Sequence, residues 1–507
     1  MSRTDTAPTL FRVLCQQRRW TTWETFAIHF DKAAASVVRT QPAARPRPVT
    51  VARRTFDRWF TGTWRGLPRA DTCYVLEQLF GFPAEDLFRP APVVLRPPAA
   101  PAGPEQIRAA QSIETRWATS RLSLTTAGAS GWDTWELDGR HVFDGTSLAV
   151  HLQAADSLDN GVRLPPSDPD QLREFLRPVR RGLVLGTRTA DAGHQVFVLD
   201  APSARSQIRS GLGAATTPLV IPGAHQLDDL TYGIIWAIAN IDDALLADDQ
   251  LLHAEHDALN AYLELPRTAP SRASIPGLTS VGAAWIGSYF CYRHITRHLA
   301  DASALPVFWT REQYGESSVG WLLWSHKHHY LRDIEDRFAS RTARGVTRAF
   351  CLPEAVVKDS EPYELILLFL SIALMEMHRV NVHVSDEPEM TAVDGFVLVP
   401  GQRAVIANWI RAEGIWQATT TSSHAMMRDY ADAVGQAAQH SVAPGTTPPE
   451  RLQALASYLG LDWVWLTRRC RELGERGIAS MIRPRSRLIA LDEFESTLRF
   501  VGELATS

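Results

Sequence analysis

The sequence has little lysine and little cysteine. Lysine occurs at only a handful of sites, among them Lys32, Lys327 and Lys358, so arginine supplies nearly all of the 52 cationic side chains. The five cysteines, Cys15, Cys73, Cys291, Cys351 and Cys470, are widely scattered. An odd set with no C-x-x-C pair argues against a disulfide framework and reads as free thiols in a reducing cytoplasm. No run approaches the roughly 18 apolar residues of a membrane helix. The longest candidate, L-I-L-L-F-L-S-I-A-L-M from Leu365 to Met375, is a buried core helix by its length. The first ten residues lack a basic segment followed by an apolar run, so no secretory signal is expected. The location expected from these absences is cytoplasmic, with no membrane partner.

What is present is an ordinary soluble composition, 45% hydrophobic and 21% charged, over 507 residues. That length exceeds what one hydrophobic core supports and predicts two to four domains. Charge is divided unevenly. Residues 1–90 hold 14 Lys+Arg against 8 Asp+Glu, and the remainder holds 38 against 48, so the net charge of −4 conceals a basic head on an acidic body. Screening confines a charge's influence to about 8 Å at physiological salt, so the head's own charge decides whether it can meet nucleic acid.

Two Pro-rich stretches punctuate the first third. Q-P-A-A-R-P-R-P, Gln41 to Pro48, lies inside the head, and the stretch from Arg89 to Pro104 reads as an extended interdomain linker. Within the head, helical spacing appears over Thr9 to Arg18, from Thr21 onward with a T-T-W-E capping box to Glu24, and over Ala70 to Phe80, followed by a short P-A-E-D-L-F helix. The boundaries expected are a head over 1–88, a linker over 89–104, a small α+β region over 105–225, an α+β sensor or assembly domain over 226–445, and helices packed on it over 446–507. The middle region has a helix near Glu105 to Trp117 and strands at Arg181 to Thr187 and His194 to Leu199. The larger domain has helices at Leu230 to Leu246, Ala283 to Leu299 and Tyr363 to His378, then V-N-V-H-V and a hairpin of F-V-L-V-P and R-A-V-I-A-N-W-I.

The stretch V-T-V-A-R-R-T-F-D-R-W-F-T-G, Val49 to Gly62, carries the sharpest functional signal. Stepped at 100° per residue, Ala52, Thr55, Phe56, Trp59 and Phe60 fall on one side, with Arg53, Arg54, Asp57 and Arg58 on the other. A recognition helix has this division, since its inner face packs on a bundle while outer arginines reach guanine edges in the major groove. Thr50 is placed as the N-cap, where a phosphate can also bind. Arg39, Arg45, Arg47, Arg65 and Arg69 flank the helix. Between Ser36 and Ala70 there are eight basic residues and one acidic residue, which suits phosphate neutralisation.

With P-R-A-D-T-C-Y-V-L-E-Q-L-F-G following it, this segment resembles the Cro/repressor-type (XRE-like) helix-turn-helix regulators over roughly residues 8–88. The resemblance implies a DNA-binding transcriptional regulator. The pairing of such a head with L-D-D-L-T-Y-G-I-I-W-A-I-A-N-I-D-D-A-L-L and F-W-T-R-E-Q-Y-G-E-S is similar to large actinobacterial proteins described as regulators, a likeness that supplies no mechanism. The chain departs from the family pattern in one respect. A tight turn of about 3–4 residues is usual between the second and recognition helices, and here a Pro-rich arm, Val37 to Val49, intervenes. Either the arm is a wing on the DNA backbone or the geometry is no longer that of the family.

Other constellations are open to more than one reading. His294 and His298, at i and i+4, with His326 in H-K-H-H-Y, invite a metal reading, against histidines on a wet helix face. Cys291, His383 and Asp394 occur in the order of a cysteine nucleophile, base and orienting acid, against a buried thiol that merely packs. The aspartate pairs at 228–229, 242–243 and 248–249 fit helix ends better than a cation site. Trp285, Trp309, Trp321, Trp324, Trp409 and Trp416 exceed what a core requires, and the first four are candidates for an aromatic ligand pocket. The expectation is an α+β multidomain protein with a helix-turn-helix head that binds double-stranded DNA as a homodimer, and with a body that senses a small-molecule effector or mediates assembly. No cofactor is expected. An enzyme whose head only targets it, or an interaction adaptor without DNA, are the alternatives.

Overall fold

The computed structural model describes residues 9–17, 20–40, 49–64, 66–80, 83–89, 122–123, 133–139, 143, 145–165, 181–190, 193–210, 218–254, 278–342, 345–408 and 417–504. The chain is a multidomain α+β protein that divides into two compact units, Met1–Thr119 and Ser120–Ser507.

Every named element of the first unit is a helix: α1 (Leu10–Gln17), α2 (Trp23–Thr40), α3 (Arg53–Phe60), α4 (Ala70–Phe80) and the single turn α5 (Ala84–Leu87). Their apolar faces meet in an aromatic core. Phe11, with no solvent exposure, contacts the rings of Phe26, Phe56, Trp59, Phe80 and Phe88 at centroid distances of 5.4 to 6.3 Å. Edge-to-face and stacked pairs of this kind add about 0.5–1.5 kcal/mol each beyond the area they bury.

The start of α2 lies one residue later than the sequence pattern placed it. Thr22 Oγ1 accepts the Thr25 N–H at 3.3 Å and the Thr22 carbonyl accepts that of Phe26, so Thr22 and not Thr21 begins the helix. The helix then runs on to Thr40, and α3 starts only at Arg53. Trp23 Nε1 donates to the Val51 carbonyl at 2.9 Å, which fastens the entry of α3 to the start of α2. Residues 41–48 of the Pro-rich arm, the linker from residue 90, and the helix expected near Glu105 to Trp117 lie outside the described residues.

The second unit opens with strands β1 (Leu122–Ser123), β2 (Asp133–Leu137), β3 (Thr146–Ala154), β4 (Asp156–Leu158), β5 (Gly161–Leu164), β6 (Gly182–Ala190) and β7 (Gly193–Asp200), followed by helix α6 (Ala201–Ser210) and β8 (Leu219–Pro222). They make a five-stranded sheet in the order β1-β2-β3-β6-β7 and a three-stranded one in the order β4-β5-β8. The strands read at Arg181 to Thr187 and His194 to Leu199 are β6 and β7, paired antiparallel.

Helices α7 (Asp229–Ala247), α8 (Ser280–Leu299), α9 (Gly315–Leu323), α10 (Ser325–Arg337), α11 (Glu354–Asp359) and α12 (Pro362–Met377) follow, with β9 (Val307–Thr310) and β10 (Val346–Cys351) among them. The centre of this region is α12. Pro362 and a Glu361/Glu364 capping box start it, and every residue from Tyr363 to Glu376 is buried, as expected of a helix apolar on all sides. Helix α9 begins hard against it at Gly315, where a Cβ would lie 2.1 Å from the Glu364 carbonyl oxygen. By length and composition α7 could cross a membrane, although no apolar run in the sequence had suggested one. In the fold it is a core helix, 78% buried, held at its start by an Asp228/Thr231 capping box.

The last sheet is mixed and six-stranded, β11-β10-β9-β12-β13-β14, with β11 (Val380–Ser385), β12 (Phe396–Val399), β13 (Arg403–Asn408) and β14 (Gln417–Thr421). β9, β10 and β11 are parallel, and the remaining pairs antiparallel. The expected hairpin is β12 and β13. Period-two alternation gives this sheet two unlike faces. Trp309, Ala349, Phe396 and Leu398 pack on Met427, Val434 and Ala437 of α13 (His424–Gln439). Phe308, Arg348 and Val397, which pair with one another across strands, face the other way.

The C-terminal helices α14 (Pro448–Tyr458), α15 (Trp463–Arg476) and α16 (Asp492–Glu503) join the body through buried ion pairs. Arg451 donates to Glu376 at 2.6 and 2.8 Å and to Asn381 at 2.8 Å, and Arg469 donates to Asp228 at 2.6 Å.

The aromatic core makes a measurable claim about the head. Phe11→Ala should destabilise it by about 3–5 kcal/mol, the usual cost of emptying a buried phenylalanine site. Hydrogen exchange on the full chain should show faster exchange in α1 to α4 and unchanged protection in α12. Unaltered protection of the head amides would contradict the packing described.

Candidate nucleic-acid interface and a buried charged pocket

On α3, Phe56 and Trp59 are 1% exposed, while Arg53, Arg54, Asp57 and Arg58 are exposed. The division follows from spacing, because four of the eight residues cannot leave water without partners and the buried pair recur at i and i+3. Arg58 lies over the Trp64 ring at 4.9 Å, which holds its stem against the surface and leaves the head at the protein–water boundary. Arg69 is also exposed, just before α4. Thr50 is not the N-cap. That position belongs to Ala52, whose carbonyl accepts from Thr55 and Phe56 and whose methyl offers no cap. Thr50 is exposed two residues earlier. Arg45, Arg47 and Arg65 lie outside the described residues, as does Arg39's side chain.

In the body, the face of the six-stranded sheet opposite α13 meets α8 and α10 around a cavity of about 60 Å³. Its charged groups come from two elements and one loop. Arg348, 3% exposed, projects from β10, Lys327, 6% exposed, from α10, and Glu312, 3% exposed, from the loop after β9. Trp321 of α9 joins them: its ring lies 3.6 Å from Lys327 Nζ and 4.8 Å from the Arg348 guanidinium, and its Nε1 donates to Glu312 at 3.2 Å. Phe308 and Tyr330 also flank Arg348, at 4.7 and 5.8 Å. Cation–π contacts of desolvated groups are worth about 2 kcal/mol.

The pairing is unequal. Lys327 Nζ is 3.6 Å from Glu312. Arg348 Nη1 donates to Thr310 Oγ1 at 2.7 Å, but its Nε and Nη2 are buried without a hydrogen-bond partner among the described residues. Two buried cations thus share one buried carboxylate. Burial pulls Lys327 down to about 8, with the Arg348 charge acting in the same direction and Glu312 against it. Tyr292, Ile295, Arg311, Ala407 and Asn408 are only half-buried and form the outer lip. Arg311 is committed to Asp394 at 3.0 Å.

The cysteine, histidine and aspartate candidates do not assemble. Cys291 lines the cavity, whereas His383 pairs in register with Ala349, itself opposite Trp309, and so lies on the α13 face of the sheet. Asp394 precedes β12, with β9 and β10 between it and β11. Burial moreover pushes the Cys291 thiol up to about 12, the opposite of an activated nucleophile. The metal candidates fare similarly. His294 and His298 stack at 6.0 Å, His326 instead bonds Ser288 Oγ through Nε2 at 2.9 Å, and among the described residues no group of three or more potential ligands is set to hold an ion. No carboxylate orients that Ser288–His326 pair, since His326 Nδ1 lacks a partner among the described residues.

Of the four tryptophans expected around a pocket, only Trp321 presents its ring to this one. Trp309 borders it through its strand while its ring stacks on Phe396 toward α13. Trp285 and Trp324 surround the ring of His326 instead, at 5.2 and 5.6 Å. Trp409 and Trp416 lie outside the described residues. Sequence reasoning missed Arg348, Lys327 and Glu312. The one signal was Lys327 itself, one of three lysines in the chain, inside a segment read for its histidines. No protein-family model, curated protein or solved structure matches the chain.

The lysine shift fixes a pH dependence. Between about 8 and its ordinary 10.5, Lys327 is neutral in the fold but still binds a proton when unfolded, so its contribution to stability rises with pH across that window. Melting temperatures of the protein and of a Lys327→Met variant should therefore diverge in favour of the unaltered protein from pH 8 to 10.5. A constant difference, or one that narrows as pH rises, would contradict the assignment.

Proposed function

We propose that the protein is a sequence-specific DNA-binding transcriptional regulator of the cytoplasm, with a helix-turn-helix head and a body that senses a small ligand or mediates assembly. The observation that carries the reading is the division of α3. Three exposed arginines oppose a fully packed aromatic face, on the most basic part of a chain whose remainder is acidic. Arg53, Arg54, Asp57 and Arg58 would face base edges in the major groove, while Arg69 and the arginines of the arm would neutralise phosphates.

Twelve residues separate α2 from α3, more than the tight turn of the regulators this head resembles. The Trp23–Val51 bond supplies a substitute: it ties the entry of the recognition helix to its predecessor without a short turn. A homodimer on two half-sites follows from affinity, because one small module buries only about 600–1,000 Å² on DNA.

Gel shifts on genomic fragments over a salt series test the proposal. Log affinity should fall linearly with log salt, with a slope of about −0.9 per phosphate contacted. The Arg53/Arg54/Arg58→Ala variant should lose sequence-specific binding while its helical circular dichroism is unchanged. Binding equal to that of the unaltered protein would remove α3 from the interface.

A further inference from the structure

We propose that the cavity between the six-stranded sheet and helices α8 and α10 is the binding site for a small organic carboxylate, received by the guanidinium of Arg348. This gives a chemical class to the ligand-sensing part of the proposed function and rests on that part, not on the head.

Three observations converge. Arg348 is 3% exposed, borders the cavity, and has Nε and Nη2 buried outside hydrogen-bond geometry with any of the described residues, while Nη1 is committed to Thr310 and the guanidinium also acts on the Tyr330 hydroxyl through its charge and a side-chain hydrogen bond. A buried donor without a partner costs about 1–3 kcal/mol, more when charged, and the Nε/Nη2 edge of arginine is the fork that takes both oxygens of a carboxylate. Next, the local charge is one cation in excess: Arg348 and Lys327 face Glu312, and Arg311 at the lip already holds Asp394. A monoanion balances the site, whereas a dianion overshoots it. Finally, size and lining limit the rest of the ligand. About 60 Å³ accommodates roughly four to six water-sized groups at about 10–15 Å³ each. Phe308, Trp321, Ile295 and Val397 supply apolar wall. A carboxylate with a short carbon chain meets all three conditions, whereas inorganic phosphate, of similar size but polar on every side, does not match the apolar lining.

The preference for a carboxylate separates this site from a water-filled void. Water would satisfy the donors but would leave the excess charge, and a neutral amide of equal size offers only one accepting oxygen to the fork and leaves the charge as well.

Isothermal titration of the full chain at pH 7 with sodium propionate, propionamide and inorganic phosphate tests the assignment, in the absence of DNA. Propionate should bind saturably with one site per chain, propionamide should not bind, and phosphate should bind more weakly than propionate. Arg348→Met should weaken propionate by at least about tenfold, as loss of a charged hydrogen-bond pair does. Arg348→Lys keeps the charge without the fork and should restore only part of it. Far-ultraviolet circular dichroism and the melting temperature establish that each variant is folded, and Asn408→Asp, which adds a negative charge at the lip, provides a second reading by weakening propionate without entering the buried charge cluster. No saturable binding of propionate, equal binding of propionamide, tighter binding of phosphate, or propionate affinity unchanged in folded Arg348→Met would each overturn the proposal. A failure here leaves the gel-shift result standing, and a failed gel shift leaves this titration standing.

Discussion

A guanidinium on a central strand, shut away from water, is the constraint around which the body is arranged. Taking a cation into the interior costs several kcal/mol unless something replaces its hydration. Around Arg348 the replacement is made from aromatic faces: Phe308 on the neighbouring strand, Trp321 on α9 and Tyr330 on α10. Those three rings come from elements that must all be in place together, so the charge is tolerable only in the finished fold. Lys327 meets the same tryptophan and brings Glu312 with it. The result is a positively biased hollow beneath a sheet whose other face is an apolar layer against α13. The one thiol among its lining residues, Cys291, is held protonated by burial.

The head solves a different problem with similar materials. Its core is centred on six buried aromatic rings, Phe11, Phe26, Phe30, Phe56, Trp59 and Phe80, among aliphatic side chains, and the inward turn of Phe56 and Trp59 fixes the arginines of α3 outward. Packing and surface chemistry are therefore the same fact seen from two sides of one helix. With α2 and α3 separated by twelve residues, register between them depends on packing of Phe26 against Phe56 at 4.9 Å and on the Trp23–Val51 hydrogen bond.

Much of the architecture was legible from periodicity. The helices at Ala70 to Phe80 and Tyr363 to His378, the β6–β7 pair and the β12–β13 hairpin stand within three residues of where apolar spacing put them, because each carries its own pattern. Strands β9 and β10 carry none. V-F-W-T is four residues long, and V-T-R-A-F-C interrupts its apolar face with Arg348, so their neighbours, and not their own sequence, make them strands. The candidate pocket was hidden for the same reason. Its charged residues lie 36 positions apart in the chain, from Glu312 to Arg348, and meet only through parallel strand pairing. Tryptophan abundance pointed to the right region, yet only Trp321 lines the hollow, since alternation along β9 turns Trp309 the other way. Cys291, His383 and Asp394 had the right order for a triad, but order along a chain carries no information about which face of a sheet each residue occupies.

The claim on which the account stands is that the arginine face of α3 reads base sequence. Selection of the full-length protein against a random duplex library, followed by sequencing of the bound pool, tests it most directly. The account predicts enrichment of a guanine-containing motif, repeated in inverted orientation at a centre-to-centre spacing of about one helical turn or a multiple of it. A bound pool with the same composition as the input would contradict it.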